Sequence, residues 1–246
     1  MARVGVIVPA AGQGARMGAL MPKQYLELAG LPVLGHTLRV LTSSPAVNEL
    51  VLVCPPGEED YCRNMILAPL GIPKISAIVP GGKERQESVY NGLLALSAAT
   101  ELVVIHDGAR PLLRREHLED VLAAATEWGA ATLAVPVKDT VKLAGANLLV
   151  DSTLPRERLW LTQTPQAFAY SLLIKAHRQA MQDGFLGTDD AALVEALGEP
   201  VRLVEGSYSN LKITTAEDLL IAEALLEVRG SRFEVRNTKL EHNLLP

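Results

Sequence analysis

Short apolar runs alternate with stretches of helical spacing along most of the chain. Residues 4–8 form a β-branched run that reads as a buried strand. Residues 31–41 follow with Leu34, Leu38 and Leu41 on one helical face. Further apolar runs lie at 50–53, closed by Pro55-Pro56, and at 75–79, closed by Pro80-Gly81-Gly82. Residues 84–96 carry Val89, Leu93 and Leu96 as an inner stripe, and 102–105 is the cleanest buried strand. A helix over 114–128 and a strand over 131–137 continue the rhythm. Alternation at this spacing predicts an α/β fold: a doubly wound, mainly parallel (mixed) sheet with helices on both faces. In such sheets ligands bind beyond the carboxyl ends of the strands.

The rhythm breaks at 138–161. Residues 139–143 and 148–153 flank Gly145-Ala146-Asn147 and read as a hairpin. Two-stranded hairpins are marginal in water, so this one must lie on something, either its own domain or a second subunit. Beyond it the pattern predicts helices near 170–181 and 189–196 and a strand at 201–204. A last helix at 215–228 has Glu217 and Asp218 in its first turn, where they suit the helix dipole. The expected organisation is one domain over 1–228 and a polar tail over 229–246 with no firm period.

Composition narrows the function. A chain of 246 residues, 48% of them hydrophobic, can bury a full core, and a net charge of −5 argues against a nucleic-acid partner. Cys54 and Cys62 complete neither a disulfide scaffold nor a zinc pattern. With no signal-peptide pattern and no apolar run of membrane-spanning length, a cytoplasmic setting and no membrane partner are expected.

Candidate chemistry follows the strands. After Val8 the chain opens into Pro9-Ala10-Ala11-Gly12-Gln13-Gly14-Ala15-Arg16-Met17-Gly18, and Pro22-Lys23-Gln24-Tyr25 comes soon after. Small residues let phosphates approach backbone N–H groups, and Arg16 and Lys23 add two fixed cations. The loop does not fit the dinucleotide fingerprint, whose third glycine falls one place late here, nor the Walker loop, for lack of Gly-Lys followed by Ser or Thr. The two cations favour a nucleoside triphosphate site over an ordinary βα turn. Asp107, ending the 102–105 strand, is placed to hold a hydrated Mg²⁺; the alternative is that it caps its turn and pairs with Arg110. His106 reads as a packed histidine. Gly81-Gly82 opens a second helix near Ser88, and Gln163-Thr164-Pro165-Gln166 offers a hydroxyl in an extended segment. Spacing alone leaves Lys212 facing solvent. No Ser-His-Asp order or H-E-x-x-H pattern stands out, which weakens hydrolase and zinc-enzyme readings.

Several ordered blocks together resemble one family. They are Pro9-Ala10-Ala11-Gly12-x-Gly14-x-Arg16-Met17, Pro22-Lys23-Gln24-Tyr25, Gly81-Gly82-x-Glu84-Arg85-x-x-Ser88-Val89, His106-Asp107-x-Ala109-Arg110-Pro111, Pro136-Val137-x-Asp139-Thr140, Arg156-x-x-Leu159-Trp160, Gln163-Thr164-Pro165-Gln166, Thr188-Asp189-Asp190 and Asn210-Leu211-Lys212-Ile213-Thr214. Over about residues 4–226 the chain is similar to the 2-C-methyl-D-erythritol 4-phosphate cytidylyltransferases of the non-mevalonate isoprenoid pathway. The resemblance implies a Mg²⁺-dependent reaction of CTP with the polyol phosphate to give CDP-methylerythritol and pyrophosphate. It also implies a homodimer interlocked through the 138–161 arm. By motif, Arg16 and Lys23 stabilise charge on the α-phosphate, and Lys212 with Arg156 of the other subunit positions the substrate phosphate. The Leu159-Trp160 spacing favours Arg156 over Arg158 in that role. Asp107 falls near the metal and the sugar hydroxyls, and Arg110, Thr140 and Thr164 match polyol-phosphate contacts. Ala10, Ala11, Gly12, Gly14, Gly82 and Ser88 match the cytidine and phosphate cradle. The chain departs from the family's usual residues at Lys83, Gly108 and Pro155. The alternatives are a ribitol-5-phosphate cytidylyltransferase and a non-catalytic nucleotide-binding protein on the same fold.

Overall fold

The structure, a computed structural model, describes residues 2–12 and 22–242, with the backbone alone for 230–242. In chain order the elements are β1 (Val4–Pro9), β2 (Glu27–Leu28), β3 (Leu31–Pro32), α1 (Val33–Ser43) and β4 (Val47–Cys54). There follow α2 (Glu59–Tyr61), a π turn (Cys62–Leu67), α3 (Ala68–Leu70), β5 (Ile75–Pro80), α4 (Arg85–Ala95), β6 (Leu102–Ile105), α5 (Arg115–Trp128) and β7 (Ala130–Pro136). The rest is β8 (Lys142–Ala144), β9 (Val150–Thr153), β10 (Trp160–Ala169), α6 (Tyr170–Asp183), α7 (Asp190–Ala196), β11 (Arg202–Glu205) and α8 (Ala216–His242).

β1, β6 and residues 50–53 of β4 are apolar throughout because both faces of the sheet are covered there. Successive side chains point to opposite faces. Val6, Val8, Leu50, Leu52 and Val104 therefore join the layer under α1 and α5. Ile7, Val51, Val53, Val103 and Ile105 join the layer under α4, α6 and α7. The predicted stripes are buried as expected: Leu34, Leu38 and Leu41 on α1, and Val89 and Leu93 on α4. α1 begins two residues later than its spacing indicated, because Leu31–Pro32 pairs with Glu27–Leu28 in a short ladder before Val33.

The seven-stranded sheet runs β11-β7-β10-β6-β1-β4-β5. β5, β4, β1 and β6 are parallel neighbours, β11 is parallel to β7, and β10 runs antiparallel to both β6 and β7. This is the mixed, mainly parallel sheet that the sequence predicts. β10 itself was legible only as an extended segment at 163–166. Its buried positions include Gln163, Thr164 and Gln166, and its pairing with β7 is interrupted between Thr162 and Gln166, so no apolar alternation marks it. The parallel strands β1, β4, β5 and β6 all point their carboxyl ends at one edge, and the loops bearing the motifs leave from there.

Two further regions correct or decide the expectations. β8 and β9 pair antiparallel, with Lys142 opposite Thr153, and every residue of both is exposed. Among the described residues the two strands stand clear of the domain, while the base of the predicted 138–161 segment is joined to it: Trp160 and Leu161 pair with β7, and Lys138 lies over the Tyr208 ring at 3.4 Å. The tail expected at 229–246 is helical as far as His242, a continuation of α8. Good helix formers such as Glu234, Lys239 and Glu241 sustain a helix without an apolar stripe. Arg229 fastens it by donating from Nη2 to Leu112 O at 2.9 Å and Ser209 Oγ at 3.1 Å. Among the described residues no helix is long and apolar enough to cross a membrane.

Candidate active site

The loops at the carboxyl edge are held by extensions of the strand ladder. Ala10 N–H donates to Val53 O at 2.7 Å and Gly81 N–H to Cys54 O at 2.8 Å, so the loops after β1 and β5 lie side by side. A Cβ on Gly81 would sit 2.4 Å from Ala11 Cβ, so only glycine permits this approach. Gln24 Nε2 donates to Ala10 O at 2.6 Å and ties the turn bearing Lys23 to the same loop. Ser88 is buried. Its hydroxyl accepts from Gly82 N–H and donates to Glu84 O, both at 3.1 Å, and so shapes the second glycine turn.

Two cavities open here, of about 190 and 300 Å³. The first is walled by Ala10, Ala11, Gly12, Lys23, Gly82 and Ser88. The second is walled by Arg110, Thr162, Gln163, Thr164, Gln166 and Asp189. Arg85, Asp107 and Lys212 line both and form the seam between them.

Asp107 is the carboxylate of that seam. Oδ2 meets Lys212 Nζ at 2.8 Å and Arg110 Nε at 3.8 Å, and Oδ1 meets Arg85 Nε at 3.4 Å. Burial opposes its ionisation, but Arg85, Lys212 and Arg110 outweigh burial and hold its carboxyl well below the usual range. The local pairing with Arg110 that the sequence offered as an alternative exists, and it is the longest of the three contacts. Asp107 N–H donates to Thr164 Oγ1 at 3.0 Å, and that hydroxyl also meets His106 Nδ1 at 3.1 Å. His106 is fully buried, and the loss of solvent pushes its pKa down to about 4, so at neutral pH it is an uncharged packing group.

Lys212 is only partly exposed and reaches Asp107, rather than simply facing solvent as its spacing indicated. Ile213 N–H donates to Ala109 O at 2.8 Å, and Asn210 Nδ2 donates to Thr164 O at 2.8 Å. Arg110 Nη1 donates to Asn210 O at 2.7 Å. These bonds press the 210–213 stretch against the loop after β6 and aim Lys212 at Asp107.

The structure thus brings Ala10, Ala11, Gly12, Lys23, Gly82, Ser88, Asp107, Arg110, Thr164 and Lys212 to adjoining cavities. Gly14 and Arg16 lie outside the described residues. Thr140 and Arg156 are exposed on the arm and line neither cavity; Arg156 Nη1 donates to Lys138 O at 3.1 Å. Arg85 stands in the family block read from the sequence but was given no role there. Its guanidinium spans Asp107 and the buried Asp190, at 2.7 Å from Nη1 to Asp190 Oδ2. Among the described residues no three His, Cys, Asp or Glu side chains are grouped to hold a metal ion by themselves.

Residues 4–228 match the family model for 2-C-methyl-D-erythritol 4-phosphate cytidylyltransferase. The protein of that name from Pelotomaculum thermopropionicum is 59% identical over 94% of this chain and 98% of its own length. The one from Desulforamulus reducens is 52% identical over 94% and 98%. Among solved structures, the crystal structure of 4-diphosphocytidyl-2C-methyl-D-erythritol synthase from Anaerococcus prevotii is similar with a TM-score of 0.80 and 33% identity, covering 92% of this chain and 99% of that one. The Thermus thermophilus 2-C-methyl-D-erythritol 4-phosphate cytidylyltransferase gives 0.74 and 39%, covering 91% and 98%.

Proposed function

The chain belongs to the 2-C-methyl-D-erythritol 4-phosphate cytidylyltransferase family, and on that basis we propose that it joins CTP to 2-C-methyl-D-erythritol 4-phosphate, yielding 4-diphosphocytidyl-2-C-methyl-D-erythritol and pyrophosphate. The observation that carries this reading is the seam: two cavities, one bounded by a small-residue loop, share Arg85, Asp107 and Lys212.

The chemistry asks for such a seam. The nucleophile is a phosphate oxygen that is already ionised, so the step needs no strong general base. The barrier lies in holding two anions in line and dispersing charge at the α-phosphorus. In this reading the first cavity takes CTP against the Ala10–Gly12 backbone and the Gly82–Ser88 turn. The second takes the polyol phosphate beside Thr164 and Arg110. Lys212 faces the meeting point, and Lys23, with Arg16, serves the α-phosphate. Oxygen of the attacking phosphate bonds to the α-phosphorus as the bond to the bridging oxygen of pyrophosphate breaks. His106, uncharged and buried, takes no proton.

The residues suit a divalent cation. An ionised Asp107 on the seam is a hard oxygen donor, and Mg²⁺ is commonly held by one or two carboxylates together with substrate phosphates and water. Such an ion, when bound, supplies positive charge to the triphosphate. The exposed arm, with Leu148 and Leu149 87% and 70% exposed, suits a homodimer in which Arg156 reaches the partner's second cavity. The cytoplasmic setting belongs to the same reading.

Pyrophosphate release from CTP, with and without methylerythritol phosphate and Mg²⁺, tests the proposal. Release that requires both is expected. Turnover with ribitol 5-phosphate in preference to methylerythritol phosphate, or CTP binding without turnover, would overturn it.

A further inference from the structure

One chain of polar contacts runs from the seam into the interior. Arg85 opens α4, and its guanidinium donates to Asp190 at 2.7 Å and leans on Asp107 at 3.4 Å. Asp190 is 1% exposed and sits in the first turn of α7. Its N–H donates to Gln166 Oε1 at 3.2 Å, which ties the α7 start to β10. Its other oxygen, Oδ1, lies 3.3 Å from Nε2 of His177, a fully buried residue of α6. That imidazole in turn lies against Tyr90 of α4, with ring centroids 5.9 Å apart. A carboxylate so buried is costly, and a buried ion pair is often no more stabilising than apolar residues of the same volume. Stability is therefore a weak reason for this chain of contacts. Its geometry offers a better one, because the tight contact is the buried one and the loose contact is on the seam.

We propose that Arg85 is a positioning residue, anchored from behind by Asp190 and His177, and that it fixes both its own charge and Asp107 Oδ1 where the two cavities meet. Lys212 is thereby left to Oδ2. The planar guanidinium is required because one group must reach two carboxylates in fixed directions; an ammonium has the charge without that fork. Losing the anchor lets Arg85 settle on Asp107 and shifts the seam. A displacement of about 1 Å can cost on the order of 10²-fold in rate. The proposal rests on the function given above.

The test uses the full chain carrying Arg85→Lys, Asp190→Asn, and both. Foldedness is checked by circular dichroism, and kcat and KM for each substrate are measured at 25 °C. Parent enzyme without turnover would refute the assigned function rather than this role. With an active parent, kcat is expected to fall about 10- to 100-fold in each single variant, with KM for CTP changed less than about threefold. The double variant should fall no further than the worse single one, because the residues act as a unit. Single variants with kcat within twofold of the parent, or losses that multiply in the double variant, would overturn the proposal. Should Asp190→Asn fail to fold, Arg85→Lys alone decides by the same kcat criterion, since its side chain reaches the surface.

Discussion

Replacing Lys212 with methionine removes one charge from the seam and keeps most of the side-chain volume. The Lys212–Asp107 contact is 2.8 Å long, and Coulomb's law over that distance gives about 1.5 kcal/mol in water and about 6 kcal/mol at an effective dielectric of about 20. The Lys212 side chain is 38% exposed, and Asp107 keeps Arg85 and Arg110, so the folding cost belongs near the lower figure, about 1 kcal/mol. For a chain of this size that is a melting shift of ~2–4 °C. The catalytic cost is of another order. A cation preorganised toward developing charge is worth about 10²–10³ in kcat, or ~3–4 kcal/mol. The assay is continuous pyrophosphate release at saturating substrates beside a thermal melt of the same preparation. A kcat within threefold of the parent would refute the reasoning. So would a melt lowered by more than about 10 °C, which would make Lys212 a structural residue.

Thr164→Val leaves Asp107 N–H and His106 Nδ1 without their shared partner and should cost ~1–3 kcal/mol, read by denaturant unfolding, with Thr164→Ser restoring stability. Gly81→Ala drives a methyl into Ala11, an overpacking cost of ~1–3 kcal/mol that should raise KM for CTP about tenfold or more in steady-state kinetics. Burial opposes ionisation of Asp190, but Arg85 and His177 outweigh it and hold its carboxyl below the ordinary value of about 4. Its stabilising contribution is therefore complete above that ordinary value and is lost as pH falls through the lowered one. The melting gap between the parent and Asp190→Asn should close as pH falls below about 4. The proposed homodimer is tested by sedimentation: the parent is expected to run as a dimer and Leu148→Asp with Leu149→Asp as a monomer, and a profile unchanged by the substitutions would contradict the arm's role.

Much of the fold was legible because burial on both faces leaves a plain record. β6 coincides with the predicted 102–105 run, and α4 and α5 differ from their predicted spans by a residue or so. β10 was not legible as a strand. Its buried polar groups answer to tertiary partners, such as Gln166 to Thr132 and Asp189, which no local pattern records. The same holds for Lys212, whose direction is set by hydrogen bonds from Ile213 N–H to Ala109 O and from the Arg110 side chain to Asn210 O, about a hundred residues apart. Arg85 shows the limit most clearly. The family block includes it and passes over its exposed neighbours Lys83 and Glu87, but the charge pattern gives it no role, because its partners Asp107 and Asp190 are distant in sequence. The glycine and alanine turns were legible through the small residues that close approach of two loops demands.

The central claim is that the seam at Asp107, Arg85 and Lys212 brings two phosphates together for one displacement. Phosphorus NMR of the protein with CTP, methylerythritol phosphate and Mg²⁺ tests it most directly. The account predicts that pyrophosphate and a new diphosphate diester appear in equal amounts, and that neither forms when the polyol phosphate is omitted. Pyrophosphate or inorganic phosphate released from CTP alone, with no diester signal, would contradict it.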